Sequence, residues 1–285
     1  MDVQIRRANR EDIEICGEIC HRAFCAVADQ YNFPHEFPDV AAATGMIGGM
    51  ISNPGFYGIV TELNGRIAGS NFLDERAPIT GVGPISVDPD VQNSGAGRVM
   101  MQHLLDRAAA NRYPGIRLVQ SAYHNRSFSL YAKLGFEIRE PLSVMVGPPI
   151  NESIPGYKVR AATDADLAAC NRLHFAVHGH DRGRELRDGI AARTANVVEH
   201  LGRITGYATA IGYAGHAVGE SNEELKALIS AAPEFLGCGP LIPSRNGDLL
   251  RWCYGKGLRL MQQMTLMTVG LYNEPRFPFI PSILY

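Results

Sequence analysis

The chain holds 285 residues and 31.1 kDa, which at about 150 residues per domain points to two domains. Apolar residues make up 46% and charged residues 20%, enough to pack a core, so a disordered or low-complexity protein is excluded. With 27 Lys and Arg against 29 Asp and Glu, no basic surplus is available to neutralise a phosphate backbone, which argues against a nucleic-acid binder.

The N-terminal run MDVQIRRANRED is charged at once and lacks the apolar core of a secretory signal. A strand is expected near 3–7, followed by Asn9 as helix cap and a helix over 10–29. The segment 31–49 is rich in breakers, with Pro34, Pro38, Gly45, Gly48 and Gly49, and reads as irregular chain. Strands follow near 56–62, 66–73 and 83–88, with Asn64-Gly65 as a hairpin turn between the first two. A helix over 95–112, a strand near 116–121, a helix over 125–133 and a strand near 135–146 complete the first half. This alternation implies an α/β or α+β domain around one mixed sheet.

Residues 147–156 are dense in Gly and Pro and read as a linker. Beyond it the chain repeats its own beginning. Ile5-Arg6-Arg7-Ala8-Asn9-Arg10-Glu11-Asp12-Ile13 lies over Val159-Arg160-Ala161-Ala162-Thr163-Asp164-Ala165-Asp166-Leu167, and Asn64-Gly65-Arg66-Ile67 over Leu201-Gly202-Arg203-Ile204. Two echoes in the same order indicate a duplicated domain, with units at 1–147 and 157–285. A helix is expected over 221–232, and a docked strand in the Pro- and aromatic-rich tail after Asn273.

The chemistry concentrates in Ile85-Ser86-Val87-Asp88-Pro89-Asp90-Val91-Gln92-Asn93-Ser94-Gly95-Ala96-Gly97-Arg98. A strand ends at Pro89, two glycines follow, and helical periodicity begins. A glycine turn opening a helix leaves backbone N–H groups unpaired and aligned with the helix dipole, a site for phosphate. A P-loop would need Lys and Ser or Thr after the last glycine, and Arg98-Val99 stand there. A dinucleotide fingerprint would need a small residue where Met100 stands. The other reading is a plain strand–helix turn. Downstream, Asn125-Arg126-Ser127-Phe128-Ser129-Leu130-Tyr131-Ala132-Lys133-Leu134-Gly135-Phe136 places an Asn at a helix start and a Gly-Phe after its end.

Together the Gln-x-x-Gly-x-Gly turn and the Asn…Tyr…Gly-Phe segment resemble the GNAT superfamily of N-acetyltransferases, over most of residues 1–150. The resemblance implies two GNAT-like domains, each a mixed, mainly antiparallel sheet flanked by helices, and acetyl-CoA as co-substrate with no metal. By position, Ile85, Ser86 and Val87 would pair with pantetheine. Backbone amides of Gln92, Asn93, Ser94, Gly95, Ala96, Gly97 and Arg98 would hold the pyrophosphate, and Asn125 would contact the pantetheine arm. The amine of a small-molecule or peptide acceptor would attack the thioester directly, and Tyr131 would protonate the leaving thiolate. The carboxylate that the family often carries on the strand before the turn is missing from Gly83-Pro84-Ile85-Ser86-Val87. Asp74, Glu75, Tyr123 and His124 remain open as the base or a water relay. The segment 31–49 falls where the family binds acceptors, with Tyr31, Phe33, His35, Glu36 and Phe37 as wall candidates. The alternative function is a non-catalytic, acyl-CoA-responsive regulatory protein.

No glycine turn of this kind follows residue 156, so the second domain reads as degenerate. His174, His178 and His180 lack the acid of a zinc-binding helix motif and read as core or solvated side chains. Met261, Met264 and Met267 have helical spacing and read as core, and Cys253 has no activating neighbour. Six cysteines without a C-x-x-C pair indicate reduced thiols in a cytoplasmic protein, and no apolar run approaches the roughly 18 residues of a membrane span. A monomer or homodimer is expected.

Overall fold

The computed structural model describes residues 3–284. The chain divides into two compact units: residues up to 118 with 123–136, and residues 119–122 with everything after 136. The division falls after Phe136, ahead of the linker at 147–156, so the last strand expected for the first domain groups with the second unit.

In the first unit, β1 (Val3–Arg7) is followed by a single 3-10 turn at Arg10–Asp12 and by α1 (Ile13–Tyr31). Then come α2 (Val40–Ser52), β2 (Phe56–Leu63) and β3 (Arg66–Asp74). Two short strands, β4 (Ile79–Val82) and β5 (Ser86–Val87), precede α3 (Ala96–Ala110), β6 (Gly115–Ser121) and α4 (Asn125–Lys133). The strand order is β1-β2-β3-β4-β6, antiparallel except for the parallel pair β4–β6. The β2–β3 turn holds Asn64 at φ 52 and Gly65 at φ 76, both left-handed, as a two-residue hairpin requires.

Two expectations change here. The segment 31–49 is largely helical rather than irregular. Asp39 caps α2 by accepting from Ala42 N at 2.8 Å, and Ala43, Ile47 and Met50 are buried at helical spacing. That apolar face packs on α1 at a close approach, for a Cβ on Gly17 would stand 2.2 Å from Thr44 Oγ1. Burial outweighs the roughly 1 kcal/mol that each helical glycine costs. Of the strand expected over 83–88 only Ser86–Val87 forms, and a separate strand, Ile79–Val82, precedes it. Val82 lies opposite Leu73, whereas Ser86 lies opposite Ser70, so one extra residue is accommodated between them. Gly83 at φ 133 and Pro84, which has no N–H to donate, sit in that bulge, leaving Ile85 outside the ladder.

The second unit opens with β7 (Glu137–Val146), followed past the linker by β8 (Lys158–Ala161), α5 (Leu167–His178), α6 (Gly183–Ala191) and β9 (Asn196–His200). It continues through β10 (Arg203–Ala208), β11 (Ala217–Gly219), α7 (Asn222–Ala231), β12 (Leu241–Pro243), α8 (Gly247–Gly255), β13 (Arg259–Gly270) and β14 (Phe279–Ile280). One sheet runs β14-β11-β10-β9-β8, all antiparallel, and β7 pairs antiparallel with both β12 and β13. From β8 onward the order strand–helix–helix–strand–strand–strand–helix–strand–helix–strand repeats that of β1 to β7, with β11 standing for β4 and β5.

Both echoes read in the sequence have structural counterparts. Leu201 at φ 50 and Gly202 at φ 78 reproduce the hairpin turn of Asn64 and Gly65. Thr163 and Asp166 form the same reciprocal cap as Asn9 and Asp12. The tail docks through β14 on β11. The three methionines lie on β13 rather than on a helix. Their spacing of three suits a strand whose register shifts beside Met261 and again at Met267, and Met264 and Met267 are buried. All six cysteines are free thiols. Among the described residues no helix is long and apolar enough to cross a membrane.

Candidate functional site

The site in the first unit is assembled from the end of β5, the loop into α3 and the first turns of α3 and α4. Gly69 on β3 lets β5 approach: a Cβ there would lie 2.3 Å from the Ser86 carbonyl oxygen. Ser86 is buried and its hydroxyl meets that of Ser70 at 3.3 Å. The parallel pairing of β4 with β6 ends at Gly81–Arg117, and β5 pairs with β3 alone. One edge of the β5 backbone is therefore without a strand partner among the described residues.

After β5, Asp88 accepts from Asp90 N at 3.1 Å and fixes a single turn at Pro89–Val91. Asn93 at φ 70 and Gly95 at φ 88 then take left-handed conformations that redirect the chain into α3. Gly95 is the N-cap and brings no side chain to it; Ala96 N donates to Ser94 Oγ at 3.4 Å, and the next N–H groups of α3, at Gly97 and Arg98, are left for an external acceptor. A Cβ on Gly97 would stand 3.7 Å from Val87 Cγ2 and 3.8 Å from Leu130 Cδ2. The glycine thus keeps open a gap one methyl group wide between the β5 end and α4. Arg98 is exposed at the same helix end. Arg126 on α4 donates to Gln92 Oε1 at 2.8 Å and brings a second exposed guanidinium to the loop. Sequence reasoning passed over Arg126, although it directly follows Asn125 in the motif.

Asn125 does not cap α4. It is the first helical residue, and His124 holds the cap position without a side-chain hydrogen bond. At the other end Gly135, at φ 91, supplies the left-handed residue, and Phe136 N donates to the Tyr131 carbonyl at 3.0 Å. Tyr131 is buried with its ring edge-on to Phe136 at 6.0 Å, and burial holds its phenol above the ordinary tyrosine range. A phenol so placed keeps its proton at neutral pH.

The carboxylate candidates are engaged elsewhere. Asp74 is clamped by Arg76 at 2.6 and 2.9 Å, and Glu75 by Arg107 at 2.8 and 2.9 Å. The aromatic candidates do converge. The Phe33 ring stacks on Tyr123 at 4.0 Å, Tyr31 lies 5.5 Å from Tyr123, and the His124 ring is 6.4 Å from Tyr31. Phe37 packs on Phe24 at 5.3 Å, and His35 pairs with the exposed Asp29.

The second unit occupies the equivalent helix starts differently. Ser221 caps α7, and the buried Glu224 carboxylate accepts from Ser221 N at 2.8 Å and Ser221 Oγ at 2.6 Å. That helix carries its own anion where α3 carries none. At the end of α8, Leu258 N donates to the Cys253 carbonyl and Gly257 sits at φ 82, reproducing the geometry at Tyr131 and Gly135. Cys253 thus stands where Tyr131 stands, and burial pushes its thiol to about 12. His174, His178, His180 and His216 are all buried in this unit, yet among the described residues no group of three His, Cys, Asp or Glu could hold a metal ion.

A family model described as an acetyltransferase (GNAT) domain matches residues 54–138, which span β2 to α4 and the loop between β5 and α3. Over 106 residues the chain is 35% identical to a mycothiol acetyltransferase of Thermobifida fusca; the match takes in 33% of this chain and 31% of that protein, so it spans under a third of the relative's length. Among solved structures, an acetyltransferase from Pyrococcus horikoshii described as putative superposes with a TM-score of 0.74 at 19% identity, covering 96% of this chain and 92% of its own. A tandem GNAT protein from the clavulanic acid biosynthesis pathway gives 0.56 at 14% identity, covering 94% and 98%. At these identities the structures share the fold.

Proposed function

The chain carries a GNAT acetyltransferase domain, and on that premise we propose that its first unit transfers an acetyl group from acetyl-CoA to an amine, on a small molecule or a peptide. The observation that carries the reading is the start of α3: a helix N-terminus behind two left-handed residues, with no side chain from its N-cap glycine and a methyl-wide gap at Gly97. Amide N–H groups from Gln92 to Arg98 would donate to the pyrophosphate, with Arg98 and Arg126 adding positive charge. The unpaired edge of β5, preceded by Ile85, would take the pantetheine amides as a strand takes a neighbour. Asn125, exposed at the start of α4, would meet the same arm.

In the reaction, the amine lone pair attacks the thioester carbon, the C–S bond breaks, and the thiolate takes the proton of the Tyr131 phenol. Burial keeps the phenol protonated at neutral pH, so the proton is in place when the sulfur accumulates charge. For the second unit, whose sequence domain we assign to 157–285, we propose no acetyl-CoA binding: Glu224 fills the anion site of α7, and Cys253 replaces the phenol.

Calorimetric titration with acetyl-CoA should give one site per chain. Thiol release over a library of amines should identify at least one acceptor. Tyr131→Phe should lower kcat by about 100-fold or more with acetyl-CoA affinity within twofold of native. Absence of binding, or equal turnover in the variant, would overturn the corresponding part.

A further inference from the structure

We infer that His124 is the base that takes the proton from the acceptor ammonium before attack. This rests on the acetyltransferase reading above and names the group that the missing strand carboxylate leaves open. Three observations carry it. The two carboxylates at the end of β3 and just beyond it are held in two-point ion pairs with Arg76 and Arg107, and a base so clamped would have to give up a charge-assisted pair to accept a proton. His124 immediately precedes Asn125 at the start of α4, beside the α3 loop to which Arg126 ties this helix. Its ring is half-buried, and neither nitrogen hydrogen-bonds another described residue.

Tyr31 from α1 faces that ring, the Arg126 guanidinium from α4 is the charge that acts on it, and Tyr123 and Phe33 extend the aromatic cluster from Tyr31. Burial, assisted by the Arg126 guanidinium, holds the imidazole below its ordinary range. At neutral pH it therefore offers a lone pair rather than a charge. The protons balance as follows. The ammonium gives one proton to His124, which passes it to water. The amine attacks, the thiolate takes the Tyr131 proton, and the second N–H proton lost from the new amide nitrogen restores the phenol.

The test uses the full chain, acetyl-CoA and the best amine from the library. In the native protein kcat/KM should fall with decreasing pH along a limb centred below the ordinary histidine value of about 6.5. His124→Gln should lower kcat/KM by about 100-fold or more and remove that limb. Acetyl-CoA affinity should stay within twofold, and added imidazole should restore part of the rate. His124→Asn, smaller and suited to a cap position, should behave alike. If both variants bind acetyl-CoA and retain rate and limb, the assignment of His124 is wrong while the acetyltransferase reading stands. If the native protein releases no thiol with any amine, that reading fails and this one with it.

Discussion

Gly97 and Gly69 show how one absent side chain can serve ligand or fold. A Cβ at Gly97 would sit at ordinary contact distance, 3.7 Å from Val87 and 3.8 Å from Leu130, so the protein tolerates it and only a ligand in the gap would be displaced. Gly97→Ala should therefore weaken acetyl-CoA binding by about tenfold or more, equivalent to at least roughly 1.4 kcal/mol. The stability of the variant should not fall, and should rise by at most about 1 kcal/mol, the helix-propensity difference between glycine and alanine. At Gly69 the added carbon would meet the Ser86 backbone at 2.3 Å, an overpacking that costs on the order of 1–3 kcal/mol. Gly69→Ala should consequently lower the denaturation midpoint whether or not ligand is present. Parallel titration calorimetry and urea unfolding check the contrast, and equal effects of the two changes on stability would contradict it.

At the scale of elements, the duplication is written in an ion-pair network. Arg6 reaches Asp12 with both terminal nitrogens at 2.8 Å and Glu62 with Nε at 2.7 Å. Arg160 reaches Asp166 at 2.7 and 2.8 Å and Glu199 at 2.7 Å. Each network ties the first strand of its repeat, β1 or β8, to the strand it pairs with, β2 or β9, and to the cap of the helix that follows. Four residues after each cap acid, Cys16 and Cys170 are buried and their thiols pushed to about 12. The Arg160 guanidinium and the Thr163 bonds hold Asp166 at about 2, against an ordinary value of about 3.9. Its folded pKa is depressed, so its contribution is complete above about pH 4 and is lost as pH falls from there toward 2. Asp166→Asn should be less stable than native at pH 7, and the gap should narrow by pH 3. Urea midpoints at both values, followed through Trp252, check this; a constant gap would refute it. Sequence reasoning found the two strand–cap starts and the two hairpins. It missed the correspondence of Gly255-Lys256-Gly257-Leu258 with Lys133-Leu134-Gly135-Phe136, because only one glycine survives as a shared letter while the backbone geometry is fully shared.

For the molecule as a whole, the two units differ in what they bury. The second unit encloses His174, His178, His180 and His216 together with Arg182 and Glu185, which form an ion pair, and Glu185 also meets His216 at 3.0 Å. His174 bonds the His180 carbonyl through Nδ1 at 2.7 Å, and its Nε2 has no hydrogen-bond partner. Burial, with His216, His180 and Arg182 around it, holds this imidazole well below its ordinary range. The sign follows: the unfolded chain binds the proton first, so stability is complete above about pH 6.5 and falls below it by about 1.4 kcal/mol per pH unit for each such histidine. Trp252, the single tryptophan, packs against the core of the second unit and reports the loss of that packing. The denaturant midpoint seen by Trp252 should drop between pH 7 and pH 5, and His174→Gln should flatten that dependence. An unchanged slope in the variant would exclude His174 as its source.

The sequence by itself determined what neighbours along the chain decide. The glycine turn and its left-handed residues, both capping pairs, both hairpin turns, and the helices at Ala96 and Asn125 all follow from local chemistry within a few residues. Only the tertiary structure decided what depends on distant partners. Burial against α1 makes α2 a helix despite its glycines, and the one-residue slip against β3 separates β4 from β5 before the glycine loop. Pairing with β7 makes an extended strand of residues whose methionine spacing reads as helical. Arg76 and Arg107 remove Asp74 and Glu75 from consideration, and packing brings Tyr31 and Phe33 to Tyr123 and His124. The difference is physical: caps and turns are satisfied by bonds a few residues away, whereas burial, strand register and ion pairing are set by residues that the chain brings together only when it folds.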